Sequence, residues 1–229
     1  MKSQEIQMGR KYNAQILKQN PIYQDQSLQG YVQSIGESLA AISHRPNLIY
    51  RFTVLDSPDI NAFALPGGYI YINRGLMAYL SSEEELAAVL GHEIGHVTAR
   101  HSVRQYSQSQ LMGVLSTAIE INSGRTAGNL ANLASGALLS GYGRDMELEA
   151  DDLGAQYIYQ EGYSAQGMYE VLSVLKDQEI YSKKIAEQRG QEPKSYHGVF
   201  ASHPSNDQRL QEVLNNVSVS YKLTLFKTS

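Results

Sequence analysis

Between residues 4 and 43 the apolar positions fall at helical spacing, first Ile6, Met8, Tyr12, Ile16 and Leu17, then Leu28, Tyr31, Val32, Ile35, Leu39 and Ile42. Repeats of three and four residues line such side chains along one stripe of a helix. Pro21, which lacks the amide a helix interior needs, lies between the two sets, so two helices are expected. The period then shortens. YRFTVLDS at residues 50–57 is rich in β-branched and aromatic residues, and INAFAL and YIYIN follow, joined by Pro66-Gly67-Gly68. Proline presets one turn dihedral and glycine tolerates the rest, so a short strand followed by a hairpin is expected.

Ser81 and Ser82 with Glu84 and Glu85 have the make-up of a helix N-terminus. One helix should then run through ELAAVLGHEIGHVTARHSVRQY to Tyr106, with Leu86, Leu90, Ile94 and Val97 as its apolar stripe. Residues 107–143 are rich in Ser, Ala, Gly and Leu, with only Glu120 and Arg125 charged. That composition points to closely packed helices or helices along a groove, the alternative being a flap in peripheral contact with a membrane. A further helix is expected from Arg144 to a glycine C-cap at Gly162, and another from Gln166 to about Gln178, the two pairing with each other. Residues 187–207 read as a polar loop, Asp207 to Asn215 as a last helix, and VSVSYKLTLF, residues 217–226, as a strand by its period of two. No internal repeat or low-complexity stretch interrupts the chain, so residues 1–229 are expected to form a single catalytic domain of α+β class, mainly helical, with a small β-sheet beside the central helix.

Composition narrows the function. Hydrophobic residues at 42% and charged residues at 18% suffice for one buried core. A net charge of -4 with no run of Lys or Arg excludes a phosphate-binding face, and with it a nucleic-acid partner. With no cysteine, disulfides, thiolate metal sites and a cysteine nucleophile are excluded, and any metal must be held by His, Asp or Glu. No stretch reaches the roughly 18–20 apolar residues of a spanning helix, so no transmembrane segment is expected and the chain reads as soluble. Nothing in the sequence sets an oligomeric state.

His92-Glu93-Ile94-Gly95-His96 lies within the central helix. Residues four apart on a helix lie one above the other, so both imidazoles can converge on one ion, while Glu93 is rotated away from ligation yet stays beside it. A carboxylate there can accept a proton from water whose pKa zinc lowers towards about 7. Catalytic zinc also needs a third protein ligand. Glu147-Leu148-Glu149-Ala150-Asp151 offers carboxylates on the Arg144 helix. Glu147 and Asp151 share a face, so one can ligate while the other hydrogen-bonds a ligand imidazole, whereas Glu149 points about 160° away and reads as a solvated charge. The spacing favours Glu147 over Glu149 as the ligand.

LGHEIGHVTARHS, GRDMELEADDLG and ASHPSNDQRL, with NAFALPGGYIYINRGLM upstream, together resemble the gluzincin metalloproteases of the HtpX and CAAX-prenyl-protease type. The resemblance covers about residues 4–214. It implies a zincin-like fold with one zinc per chain, Glu147 as third ligand, and Asp151 as hydrogen-bond partner of a ligand histidine, His92 for choice. Lacking membrane-spanning helices, the sequence is similar to the soluble BepA-like periplasmic branch, which implies a polypeptide substrate, a periplasmic or envelope-associated location and a part in envelope protein quality control. Members of that branch often continue into helical repeats, and whether this chain is a minimal member or ends short at Ser229 stays open. His203-Pro204 matches a late position where the resemblance implies a histidine that stabilises the oxyanion or fills the open coordination site, with His197 as the fallback and an exposed loop histidine as the plain reading. For Asn61, Ala62 and Phe63 it implies an edge strand that holds substrate by main-chain hydrogen bonds, the alternative being a strand packed in the core. Arg144 and Arg209 match basic positions suited to a buried ion pair that fixes the second helix. His44 and His101 have no constellation and read as surface residues.

The expected activity is zinc-dependent cleavage of internal peptide bonds, with Glu93 and His203 as catalytic residues. Two rivals stay open: a peptide-holding or chaperone-like module on the same scaffold, and a closed structural zinc site.

Overall fold

Ser82 starts the helix on which the site is built. Its hydroxyl accepts the amide of Glu85 at 3.2 Å, and the Glu85 carboxylate reaches back to the amide of Ser81 at 2.5 Å, so two of the orphan donors of a helix start are satisfied reciprocally. In the computed structural model, which describes residues 2–108, 141–190 and 207–220, this helix follows α1 (Lys2–Gln19), α2 (Gln26–Ala41), β1 (Arg51–Leu55), β2 (Ala62–Leu65), β3 (Tyr69–Asn73) and the short α3 (Arg74–Met77). It is α4, Glu83–Thr98, and after it come helical residues 101–108, then α5 (Arg144–Glu161), α6 (Gln166–Gln188) and α7 (Asp207–Ser220). The architecture is the expected one, mainly helical with a small sheet. His197, His203 and residues 109–140 lie outside the described residues. No described helix is long and apolar enough to cross a membrane.

The sheet has the order β1-β3-β2, with β1 parallel and β2 antiparallel to β3. All of β3 is buried because both faces are covered. Ile70 and Ile72 enter the main core with Phe52, Val54 and the apolar residues of α2 and α4, while Tyr69 and Tyr71 join Leu55 and Leu65 in a second cluster that Tyr12 and Ile16 of α1 pack against. The sheet therefore sits between α1 and the remaining helices, and β1 and β2 are its two edge strands.

Periodicity suggested a stripe on α4, yet every residue from Glu85 to Val97 is buried. Two further expectations about this region are corrected. The helix does not run through to Tyr106: it ends at Thr98, and Arg100, at φ 58°, turns the chain into the helical residues 101–108. The contacts holding this break come from far away in sequence, since Arg45 donates to the carbonyl of Val97 at 2.9 Å and both Arg45 and Arg100 pair with the buried Glu5. Nor do α5 and α6 form a pair of their own. Both pack chiefly on α4, because a helix buried all round has faces for two neighbours.

Two other elements depart from expectation. α6 extends to Gln188, its polar second half carrying Lys176 and Lys183 on Glu179 at helical spacing. Residues 217–220 are the last turn of α7 rather than the start of a strand, since Leu210, Val213, Leu214 and Val217 also repeat at three and four; residues 221–226 lie outside the described residues.

The approach of α5 to α4 depends on glycine. A Cβ on Gly95 would lie 2.8 Å from the carbonyl oxygen of Ala150, and one on Gly154 would lie 2.8 Å from the amide nitrogen of His92. Both are backbone atoms that cannot step aside. Gly154→Ala is accordingly expected to push α5 outward and cost about 1–3 kcal/mol. Thermal unfolding would register this as about 2–4 °C for each kcal/mol in a chain of this size, and unchanged unfolding would show the interface to be compliant.

Candidate metal centre

His92 and His96, one turn apart on α4, bring their Nε2 atoms to 2.9 Å from each other. Glu147, in the first turn of α5, places Oε2 3.5 Å from His92 Nε2 and Oε1 3.5 Å from His96 Nε2. The three residues are buried, and their ligand atoms all lie within 4.8 Å of one another. Tetrahedral ligands at roughly 2.0–2.1 Å from zinc stand about 3.3 Å apart, so two imidazoles and a carboxylate with this spacing fit the ion in both chemistry and size. Burial works against a charge on His92, but its hydrogen bonds to Asp151 and Glu147 outweigh it and raise the pKa to about 10, the mark of a site that favours positive charge.

Around the ligands lies a second buried layer. Asp151 Oδ1 is 2.8 Å from His92 Nδ1, an arrangement that orients the ring with Nε2 towards Glu147. Arg209, 3% exposed on α7, donates to both oxygens of Asp151 at 2.7 Å and to Glu147 Oε2 at 2.9 Å. Burial opposes ionisation of Asp151, yet Arg209 and His92 prevail and hold it below the usual carboxylate range. The guanidinium is held above its own ordinary value by the same carboxylates against burial, with Glu93 adding to them. Glu93 itself is 2% exposed, and its charge also reaches Tyr142.

His101 is no surface residue. It is fully buried, its Nδ1 lies 2.7 Å from His96 Nδ1, and its Nε2 lies 3.1 Å from Glu149 Oε2. Burial, more than its partners, holds the ring below the usual imidazole range. Glu149 points away from the ligand trio, half exposed, and also accepts from Arg104 at 2.9 Å. On an unbroken helix a residue five positions on from His96 would point about 140° away, so the left-handed turn at Arg100 is what returns His101 to it. Tyr142, which sequence reasoning passed over, stacks on the His96 ring at 4.1 Å and bonds Ser102 through its hydroxyl at 2.6 Å. The recurrence of histidine nine positions after His92 was the available signal for His101; for Tyr142 there was none.

Arg144, Asn61, Ala62, Phe63 and His44 have other partners. Arg144 is half exposed and 3.9 Å from Glu212, outside the buried network in which Arg209 stands. Asn61, Ala62 and Phe63 lie at β2, where the carbonyl of Asn61 accepts the amide of Asn73 and the Phe63 ring stacks on Tyr71 at 4.9 Å. His44 is exposed with Nδ1 2.7 Å from the hydroxyl of Tyr157.

A family model described as Peptidase family M48 matches residues 26–217. The chain is 31% identical over 225 residues to the Beta-barrel assembly-enhancing protease of Yersinia pestis, covering 94% of this chain and 44% of that protein. It is 30% identical over 174 residues to the Metalloprotease YcaL of Escherichia coli, covering 73% of this chain and 62% of the relative. It is also 31% identical over 162 residues to the Mitochondrial metalloendopeptidase OMA1 of Arabidopsis thaliana, covering 69% and 33%. The chain thus spans less than half the length of its Yersinia pestis relative.

Proposed function

The chain belongs to peptidase family M48, and on that premise we propose that it is a zinc-dependent endopeptidase that hydrolyses internal peptide bonds. The observation that carries this reading is the convergence of His92 Nε2, His96 Nε2 and the Glu147 carboxylate from two helices, with Glu93 buried on the same helix as the histidines. His92, His96 and Glu147 would hold one zinc ion per chain. Zinc held there supplies Lewis acidity towards a peptide carbonyl and makes water acidic enough to lose a proton near neutral pH. Glu93 accepts that proton and delivers it to the leaving amine. Asp151 keeps His92 in the ligating tautomer, and Arg209 offsets part of the charge of the two carboxylates that face it.

An extended substrate would lie along β2, hydrogen-bonded by the main chain about Asn61, Ala62 and Phe63, an assignment supported by the position of β2 at the sheet edge. We read His203 as part of the same site, as oxyanion donor or as an inhibitory fourth ligand, a reading supported by the match of His203-Pro204 to the family pattern. The name of the Beta-barrel assembly-enhancing protease relatives supports envelope proteins as the substrate class, with a periplasmic or envelope-associated location. We read residues 1–229 as a single metallopeptidase domain.

Metal removal tests the proposal. Protein loaded with one equivalent of zinc is expected to cleave casein, to stop after dialysis against a chelator, and to resume when zinc is restored. Cleavage that persists in the metal-free protein would overturn it, and binding of casein without cleavage would favour the peptide-holding rival.

A further inference from the structure

The ligand histidines are supported differently. His92 donates from Nδ1 to a carboxylate, whereas the Nδ1 of His96 faces another imidazole. We propose that His101, backed by Glu149, is the positioning residue for His96, a two-step relay that fixes the ring and tautomer of the second ligand as Asp151 does for the first. This rests on the reading of His92, His96 and Glu147 as a metal site.

Proton placement follows from the geometry. If His96 offers the lone pair of Nε2 to a cation, its proton is on Nδ1, and the atom 2.7 Å away that must accept it is His101 Nδ1. The proton of His101 is then on Nε2, where Glu149 Oε2 accepts it at 3.1 Å. Arg104, 2.9 Å from the same oxygen, keeps that carboxylate in place. Every ring nitrogen of His96 and His101 thus has one defined role, and reversing any of them would set two protons or two lone pairs face to face. The ring of Tyr142, inclined by 19° to that of His96, holds its plane from the side.

The fold also spends a disfavoured conformation on bringing His101 here. Arg100 is the single described non-glycine residue at positive φ, a backbone state that L-residues avoid. Its side chain is tied to Glu5 at 3.1 Å, and Arg45 holds the preceding helix end through Val97. Without that turn His101 would leave His96.

The test is the zinc affinity of the folded metal-free protein, measured by competition with a chromogenic chelator for the parent, His101→Phe, His101→Gln and Glu149→Ala. The absorption spectrum of each Co(II)-substituted protein is recorded beside it. His101→Phe keeps a ring but offers no acceptor, and about a 10–100-fold loss of affinity with an altered Co(II) spectrum is expected. His101→Gln presents a carbonyl oxygen to His96 and should recover most of the loss. Glu149→Ala alters a half-exposed side chain, is expected to fold for that reason, and should weaken zinc about tenfold, at the low end of that range. Parent-like affinity and spectrum in His101→Phe would overturn the proposal. Should that variant not fold, parent-like values in Glu149→Ala would do the same. A parent that binds no zinc would instead sink the metal-site reading, so the two failures are distinguishable.

Discussion

Glu93→Gln is expected to fold and to hold zinc as the parent does, while losing about 10²–10⁴-fold in the rate of peptide cleavage, the contribution of a positioned general base. The reason is separation of roles along one helix. His92 and His96 are the ligating residues of α4, and Glu93, rotated about 100° from His92, lies outside the ligand trio. Glutamine has the same shape but cannot take up a proton. Its lost charge also removes one of the weaker attractions on Arg209, whose main partner remains Asp151. Metal content by atomic absorption, thermal unfolding and turnover of a fluorogenic peptide are the three measurements. Parent-like turnover would remove Glu93 from the mechanism, and lost zinc would make it part of the metal site instead.

Arg209→Met should have the largest effect on stability. The guanidinium is buried against two carboxylates, and methionine, which replaces only the apolar stem, would leave Asp151 and Glu147 without their cation. Removing one member of a buried ion network costs about 3–5 kcal/mol, chiefly because the remaining charge stays desolvated. In a chain of this size that is roughly 6–20 °C in Tm. Zinc should restore part of it by neutralising Glu147. The pH dependence has a definite sign. Asp151 is held below its ordinary pKa of 3.8, so its contribution to the parent is complete above that value and lost as pH falls through the lower folded value. In the variant burial opposes ionisation with less to offset it, so the carboxyl takes up a proton more readily. The stability gap between the two proteins should therefore narrow in acid. Equal stability at neutral pH would show that the network is not needed to hold α5 and α7 against α4.

The elements that could be read from the sequence are those set by contacts within a few residues. Ser82 starts α4 and Gly162, at φ 99°, ends α5, each at the position where its chemistry indicates. The hairpin at Pro66-Gly67-Gly68 is equally local. The end of α4 and the length of α7 were not so legible. The first depends on Glu5 and Arg45, far from Arg100 in sequence, and the second on Val217, which stands two positions from Val219 and four from Val213 and so fits both periods.

The metal centre divides in the same way. Sequence by itself determined that two histidines lie one above the other on a helix, that Glu147 and Asp151 share a face of another, and that metal binding would involve no thiolate. Those statements need only helix geometry and the residue inventory. Tertiary structure decided that α5 meets α4 closely enough, through Gly95 and Gly154, for Glu147 to reach both imidazoles. It also decided that Arg209 rather than Arg144 holds the buried carboxylates, and that His101 stands behind His96. Helical periodicity says which way a side chain leaves its own axis; how near two axes lie, and what a broken helix turns back upon, is set by the packing of the whole core.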